Sequence, residues 1–393
     1  MIGICIKYFH DNYGGMLQAY ATVKAFEKYG VDYELVRYQK KMTFVGLFRS
    51  MPRLLNRTLR NDKREALKKK IGQLRHRAFA RDDARRGRMF GQFCREHFTR
   101  LSPVFVGYPA LCAGATRYTA VVTGSDQLWS PAGLPTNYYN LMFVPDGILK
   151  ISLASSFGVK EIPWYQKKRT RQYLERIDYI SMRENRGSEI VAELTGRDVP
   201  TVLDPVFLHS REEWLGLVPD VLYTGEPYIF AYFLGRSQEH REAVRRLADA
   251  AGLKIVALRH MDQYVKGDED FGDEAPYDVG PAEFLNLLRH ATYVCTDSFH
   301  GTAFSVILEK QFVVFNRYSD ASRTSKNSRI DTLCRNLGLE ERRWNGSKDI
   351  CDMVGEEIPY DRVRQKVSEQ MQVTDRYMDT IVTEIRRREA QVR

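Results

Sequence analysis

The sequence predicts an α/β protein built from two halves, each a layer of parallel strands packed with helices. Two observations lead to this class. Short apolar, β-branched segments alternate with amphipathic helical segments, and this alternation begins again after residue 227. The length of 393 residues is enough for about two domains of roughly 100–200 residues each, and a hydrophobic content of 43% is ordinary for a folded chain.

The first half opens with an apolar strand predicted at 2–8, followed by a polar, glycine-containing turn at 10–15. A helix then extends to about Gly30, and a strand at 33–37 completes a strand–helix–strand unit of the kind that builds parallel sheets. Further strands of this half are predicted at 118–123, 151–156, 179–182 and 199–203. These segments place the first domain at 1–205.

The second half repeats the alternation after a turn-rich stretch at 205–227, where we place the domain boundary. Its strands are predicted at 228–233, 254–258, 293–296 and 312–315, and its helices at 239–251, 281–290 and 299–308. A charged helix is predicted at about 360–388. The sequence therefore predicts a second α/β domain at 206–358 and a C-terminal helix within 359–393. Ligands of such tandem domains bind at the carboxyl ends of the strands, in the cleft between the domains.

Most of the net charge of +10 comes from one segment, a basic helical insertion predicted at about 49–100. This stretch holds 17 Lys and Arg against 5 Asp and Glu, and such a patch attracts the phosphates of nucleic acids or of an anionic membrane. Leu67, Ile71 and Leu74 recur at helical spacing, which equally predicts an ordinary hairpin with solvated charges. If this segment binds a membrane, a shallow apolar anchor could be formed by Phe48, Pro52, Leu54 and Leu55.

The expected location is cytoplasmic, and binding of the basic insertion to a membrane would place the protein at the inner face of the plasma membrane. The sequence has no run of about 18 apolar residues, and its N-terminal segment lacks the basic flank and long apolar core of a signal peptide. The six cysteines are scattered without CxxC or CxxH pairs, which predicts reduced thiols and no zinc site.

The strongest candidate for chemistry is the loop at 296–302, which joins a predicted strand to a predicted helix. Asp297 or Ser298 can cap that helix, and its first N–H groups would then bind a phosphate or a carboxylate. His300 falls in the first turn beside this anion site, and Gly301 would allow a ligand to approach closely. A capped helix with a packing histidine is an equally simple interpretation.

Two loops of the first half also follow predicted strands. Asp126 lies in a Gly-Ser-Asp loop after 118–123, where capping of a short turn is a sufficient explanation. Asn12 and Tyr13 lie in the turn at 10–15, which lacks the spacing of a dinucleotide or P-loop fingerprint. Both side chains could hydrogen-bond a sugar, although turn formation also accounts for them.

Several cations are predicted at strand ends, namely Arg183, Arg236, Lys326 and Arg329. A guanidinium pairs in bidentate fashion with carboxylate and phosphate. The shared placement of these cations therefore predicts a small anionic ligand, although most surface arginines have no such role.

The chain resembles the polysaccharide pyruvyl transferase family in an ordered set of segments that covers most of its length. These segments are HDNYGGMLQAYA (10–21), VVTGSDQLW (121–129), SLASSFG (152–158), MRENRGSEIV (182–191), VLDPVFLHSREEW (202–214), TDSFHGTAFSVILEKQF (296–312) and NSRIDTLCRNLGLEER (327–342). The ordered set is far more specific than any one segment. The basic insertion and the tail after residue 345 are poorly covered.

The resemblance implies two Rossmann-like domains facing across a cleft, similar to the GT-B glycosyltransferase fold. It also implies transfer of a pyruvyl group from phosphoenolpyruvate to two hydroxyls of a sugar, giving a cyclic ketal on a surface polysaccharide or its lipid-linked precursor. His300 would then be the acid, since imidazole exchanges protons near neutral pH. The expected donor contacts are Arg183, Arg236, Ser298, Gly301, Lys326 and Arg329, and the expected acceptor contacts are Asn12, Tyr13 and Asp126. No cofactor or metal is implied, because arginines can stabilise the developing charge.

Two other functions stay open. A nucleotide-sugar glycosyltransferase can use the same fold, but it would need a base-stacking and ribose-binding site that the sequence does not show. A non-enzymatic protein that holds nucleic acid on the basic insertion would leave His300 and the strand-end arginines unexplained, and no nucleic-acid motif occurs. An assay of donor consumption separates the glycosyltransferase from the pyruvyl transferase.

Overall fold

The computed structural model describes residues 1–41, 57–131, 137–218, 225–262, 264–317 and 328–392. Within these ranges the chain forms two sheets of parallel strands packed with helices, so the predicted α/β class is confirmed. The central strands are short, mostly apolar and buried along their whole length. Strands of this kind are typical of parallel sheets covered on both faces.

The first sheet organises the N-terminal half. Its strands are β1 (Ile2–Cys5), β2 (Tyr33–Gln39), β3 (Leu101–Val106), β4 (Ala120–Thr123), β5 (Leu149–Ser155) and β6 (Tyr179–Met182). Its helices are α1 (Tyr13–Lys28), α2 (Arg57–Arg75), α3 (Arg77–His97), α4 (Tyr108–Ala115), α5 (Trp164–Arg176) and α6 (Asn185–Thr195). The strand order β3–β2–β1–β4–β5–β6 reverses direction between β1 and β4. Ligands of open parallel sheets bind beyond the carboxyl ends of the strands at such a reversal.

The second sheet organises the C-terminal half. Its strands are β7 (Tyr228–Tyr232), β8 (Lys254–Ala257), β9 (Tyr293–Thr296), β10 (Gln311–Phe315) and β11 (Arg343–Trp344), in the spatial order β11–β10–β9–β7–β8. Its helices are α7 (Arg211–Leu215), α8 (Gln238–Ala251), α9 (Pro281–His290), α10 (Phe299–Ile307), α11 (Ser328–Leu337) and α12 (Ile350–Gly355). A 3₁₀ turn, Pro205–Leu208, lies at the crossover between the two halves.

A long C-terminal helix, α13 (Tyr360–Val392), returns to the first domain. The hydroxyl of Tyr377 donates to the carbonyl of Ser152 in β5 at 2.7 Å. The N–H of Leu203 donates to Oγ1 of Thr374 at 3.1 Å. The chain therefore crosses between the domains twice, once near residue 205 and once before α13.

Helices α2 and α3 form a hairpin that is inserted between β2 and β3 and reaches the second domain. Arg86 on α3 is buried, and its guanidinium donates to the carbonyls of Arg259 and Pro276, the latter at 3.0 Å. Arg85, one residue earlier, pairs with Asp278. The basic insertion is thus a structural connection between the domains along α3.

Two strand predictions differ from the structure. Strand β3 was not predicted because Pro103 interrupts its pattern; the strand lies at the sheet edge, where a residue without an N–H is tolerated. The predicted strand at 199–203 is wrong, since this segment forms only a single bridge between Met182 and Thr201. Pro200 and Pro205 flank the bridge, and the chain leaves the sheet here to enter the second domain.

Within the described ranges, no helix is both long and apolar enough to cross a membrane. The proposed apolar anchor falls outside these ranges, because Phe48, Pro52, Leu54 and Leu55 are not among the described residues.

The Arg86→Ala variant is expected to lower the free energy of unfolding by about 1–3 kcal/mol, because it leaves the carbonyls of Arg259 and Pro276 without their donor. Urea denaturation followed by tryptophan fluorescence measures this change. Arg88 is exposed on the same helix, and its alanine variant is the matched control that should unfold like the wild type. Identical curves for all three proteins would show that Arg86 does not hold the domains together.

Candidate active site

Two helix starts, one from each domain, meet at the candidate site. Asn12 caps α1, because its Oδ1 accepts a backbone N–H of the first turn at 2.8 Å. Ser298 caps α10 in the same way, with Oγ accepting a backbone N–H at 3.3 Å. A Cβ added to Gly14 would lie only 2.1 Å from Nδ1 of His300. The start of α1 therefore rests directly against this imidazole.

The cap at Ser298 engages one N–H group in the first turn of α10 and leaves the two before it without a bond inside the helix. The first four N–H groups of a helix have no partner within the helix, and they carry its positive dipole end. Oγ1 of Thr296 accepts the N–H of Ser298 at 3.1 Å and donates to the carbonyl of Tyr232 at 2.7 Å, which ties the helix start to β9 and β7. The predicted capped helix with His300 in its first turn is confirmed.

Asp204 is the centre of the hydrogen-bond network at this site. Its Oδ2 accepts Nη1 of Arg183 at 2.6 Å and Oγ of Ser125 at 3.0 Å. Its Oδ1 accepts the N–H of Val206 at 3.1 Å, which starts the 3₁₀ turn at the crossover. Nε2 of His300 lies 3.6 Å from Oδ2. A single buried carboxylate thus organises groups from both domains.

Asp126 is the second carboxylate of the site, and its Oδ1 lies 3.7 Å from Nη2 of Arg183. Burial disfavours its charged form, but the charges of Lys7 and Arg183 outweigh burial and hold the pKa of this carboxyl well below its usual range. Burial likewise opposes ionisation of Asp204, and the Arg183 guanidinium together with His300 holds the pKa of that carboxyl low. Both carboxylates therefore stay negatively charged at neutral pH.

Buried nitrogens of Arg183 and His300 face the two carboxylates at ion-pair distance without forming a hydrogen bond to them. Among the described residues, Nε and Nη2 of Arg183 and Nε2 of His300 have no hydrogen-bond partner, although the two side chains are only 1% and 8% exposed. Cζ of Arg183 lies 4.6 Å from the centroid of the Phe299 ring, and Cζ of Arg329 lies 5.7 Å from the same centroid. Buried polar groups are normally hydrogen-bonded, and charged nitrogen donors pair best with phosphate or carboxylate. These nitrogens are therefore the groups of the site with hydrogen-bonding capacity left for a ligand.

Tyr13 lies in the contact between the domains. It is buried, its hydroxyl donates to the carbonyl of Val279 at 2.8 Å, and its ring stacks on Phe284 at 5.0 Å. The structure gives Tyr13 this packing role in place of the predicted contact with an acceptor. Asn12, its neighbour, remains exposed at the helix start.

Gly301 packs against the end of β9. A Cβ at this position would lie 2.6 Å from Oγ1 of Thr296, so the glycine is needed for contact between helix and strand. This contact stands in place of the predicted close approach of a ligand.

Of the remaining predicted cations, the structure describes Arg236. Arg236 is exposed in the loop after β7, and Asp297 ties this loop to the end of β9 by accepting the N–H of Gly235 at 2.7 Å. Arg236 therefore lies at the same sheet edge as the start of α10. Lys326 lies outside the described residues.

Three residues of the site escaped the sequence analysis, namely Lys7, Ser125 and Asp204. Lys7 follows the buried run of β1 and acts on Asp126 through its charge. Asp204 interrupts an apolar segment just before a proline. A charged residue at the carboxyl end of a buried strand is a signal that could have identified Lys7. A charged residue alone within an apolar segment is the signal that could have identified Asp204.

The geometry defines a class of protein, namely two parallel α/β domains that meet at a shared set of buried charged side chains. Within this class, the chain belongs to the polysaccharide pyruvyl transferase family, because the sequence model of that family matches residues 12–319. A search of curated proteins finds no significant match to the chain.

Solved structures similar to this chain identify its fold. A UDP-N-acetylglucosamine 2-epimerase from Rickettsia bellii aligns with a TM-score of 0.52 and 10% identity, over 98% of this chain and 96% of that one. A protein from Listeria monocytogenes assigned as a UDP-N-acetylglucosamine 2-epimerase aligns with a TM-score of 0.53 and 11% identity, with the same coverage. At such identity the similarity shows the fold alone. The predicted GT-B-like arrangement of two Rossmann-like domains is confirmed.

The Asp204→Asn variant is expected to make unfolding less sensitive to acid. The pKa of Asp204 is lower in the folded protein than in the unfolded chain, so its charge stabilises the fold above the ordinary carboxyl pKa of about 4, and this stabilisation is lost as the pH falls below that value. Between about pH 5 and pH 2.5, the urea midpoint of the wild type should therefore fall further than that of the variant. The matched control is Asp270→Asn at an exposed position. Parallel curves for all three proteins would show that the pair with Arg183 adds nothing to folding.

Proposed function

We propose that this protein transfers a pyruvyl group from phosphoenolpyruvate to two hydroxyls of one sugar, in a surface polysaccharide or its lipid-linked precursor. The product is a cyclic ketal, and phosphate is released. The observation that carries the proposal is the pair of buried side chains, Arg183 and His300, which lie beside the start of α10 and keep nitrogens that are not hydrogen-bonded within the described part of the chain. Membership of the pyruvyl transferase family supports it.

Phosphoenolpyruvate matches the charge of this site, since it carries a phosphate and a carboxylate on a three-carbon skeleton. Arg183 and Arg329, stacked on Phe299, would clamp the two anionic groups, with Lys7 nearby. The helix start capped by Ser298 would bind the phosphate through backbone N–H groups. Further donor contacts are assigned to Arg236 and Lys326.

The reaction proceeds by proton transfer and two carbon–oxygen bond formations. Protonated His300 gives its proton to the methylene carbon of phosphoenolpyruvate, which leaves an oxocarbenium-like centre on the carbon that bears the phosphate. The first sugar hydroxyl adds to this carbon and returns a proton to His300. The second hydroxyl then forms its bond as the bond to phosphate breaks, and its proton leaves with the phosphate. One donor and one diol thus give one ketal and one phosphate.

The two carboxylates have distinct roles in this scheme. Asp204 orients Arg183 and faces His300, and its fixed charge stabilises the positive centre that develops on the donor. Asp126 is charged and is partly open to the cleft, so it can accept a hydrogen bond from an acceptor hydroxyl. Asn12, exposed at the start of α1, is a second group that can bind the sugar.

The test is to incubate the purified protein with phosphoenolpyruvate and a lipid-linked oligosaccharide, and to measure phosphate release and the mass of the sugar product. The His300→Gln variant should lose about 10²–10⁴-fold in kcat while keeping the wild-type melting temperature. Turnover of the variant within about twofold of the wild type would place His300 outside the chemistry. Consumption of a nucleotide sugar without consumption of phosphoenolpyruvate would instead favour a glycosyltransferase.

The Gly14→Ala variant tests the contact that fixes the imidazole. The new methyl group would occupy the space of the His300 ring, with 2.1 Å to its nearest atom, so the ring must turn away. We expect kcat for phosphate release to fall by about tenfold to a hundredfold, because a displacement of about 1 Å in a catalytic group can cost this much. The matched control is Gly15→Ala, whose methyl group would lie 3.4 Å from Oδ1 of Asn12, an ordinary contact. Equal rates for the two variants would show that this contact does not position the ring.

A further inference from the structure

The hairpin helix α2 turns an apolar stripe outward. Leu67, Ile71 and Leu74 are 58%, 39% and 83% exposed. At about 100° per residue, these three side chains fall within a sector of about 60° on the helix. Their helical spacing predicts that they share one face of the hairpin, and the structure places that face on the solvent side.

The opposite face of α2 is the one that packs. Nζ of Lys69 and Nε2 of Gln73 donate to the Asp83 carboxylate on α3, at 3.0 and 2.7 Å. A Cβ added to Gly72 would lie 2.9 Å from Cβ of Tyr264, in the second domain. The rotation of α2 about its axis is therefore fixed by contacts on both of its neighbours, and the apolar stripe cannot turn inward without breaking them.

Cations border the apolar stripe. By the same helical geometry, Arg64 and Arg75 lie along one edge of the stripe, and Lys70 lies along the other edge. Arg60 lies on the line of the stripe itself, two turns before Leu67. All four side chains are exposed. Over its whole length, Arg57–Arg75, the helix sequence has eight Lys and Arg against two Asp and Glu.

We propose that the outer face of α2 docks on the surface of an anionic lipid bilayer. A helix that lies in the membrane interface buries an apolar stripe among the acyl chains while flanking Lys and Arg meet lipid phosphates, and α2 has both parts in this arrangement. A nucleic acid would engage the charges but would leave the aliphatic stripe exposed to water. The proposal does not rest on the proposed reaction.

The hairpin that carries the docking face also contacts both domains. Helix α3 lies against the loop before α1, since a Cβ at Gly87 would lie 3.4 Å from Oδ2 of Asp11. Through Arg86 it also holds the second domain. A bilayer bound by α2 would therefore be connected to both domains through one rigid hairpin.

The test is sedimentation of the full-length protein with vesicles of phosphatidylcholine alone or mixed with phosphatidylglycerol, at low and at high salt. The wild type should bind the mixed vesicles at low salt and be released by salt. The Leu67→Ser/Leu74→Ser variant and the Arg64→Glu/Lys70→Glu variant should each bind about tenfold more weakly or worse. Unchanged melting temperatures verify that the variants are folded.

Two matched controls make the result specific to α2. Val104→Ser/Val106→Ser removes exposed apolar side chains from β3, and Lys167→Glu/Lys168→Glu reverses exposed cations on α5. Both controls should bind vesicles within about twofold of the wild type, since neither touches the docking face. Equal binding to neutral vesicles, no binding to either vesicle, or equal losses in test and control variants would each overturn the proposal. Tighter binding to single-stranded nucleic acid that the leucine changes leave intact would do so as well.

Discussion

The buried ion pair between Asp204 and Arg183 is the interaction on which the rest of the site depends. Taking both charges out of water is costly, and it is offset only when hydrogen bonds satisfy them. Asp204 is well satisfied, because it accepts from Arg183, Ser125 and the N–H of Val206. Arg183 is not, since two of its nitrogens have no hydrogen-bond partner among the described residues. The hydrogen bonds of the pair therefore offset its desolvation only in part, and the guanidinium keeps hydrogen-bonding capacity at the contact between the domains. Since Asp204 also starts the turn at the crossover, the same carboxylate links the guanidinium to the path between the domains.

The site exists only while the two domains are in contact. His300 belongs to the second domain, yet its ring rests on Gly14 of the first domain. Arg183 belongs to the first domain, yet it lies over Phe299 of the second. Contacts far from the site, such as Arg86 of α3 on the carbonyl of Pro276, thereby have a part in setting the geometry of its side chains.

Local patterns made much of the fold predictable from the sequence. Helix α9 was predicted at its observed bounds, because Pro281 at its first turn and the apolar face after it are signals within one segment. The capping role of Ser298 and the position of His300 came from the same kind of signal. Asp204 could not be found in this way, since its partners Arg183 and Ser125 lie 21 and 79 residues away in the chain. The burial of Tyr13 was missed for the same reason, since its surroundings, Val279 and Phe284, come from another segment.

Helix α13 gives the chain an order of assembly that differs from its order of synthesis. Its residues Met378, Ile381 and Ile385 are fully buried in the core that includes β1 and β5 of the first domain. On the ribosome, domains generally fold as units, starting with the one that emerges first. Here the first domain cannot complete its core until α13, which follows the second domain in the chain, has been made. While the second domain is being translated, the apolar surface that α13 will cover therefore stays exposed. Chaperones can bind this surface during that interval.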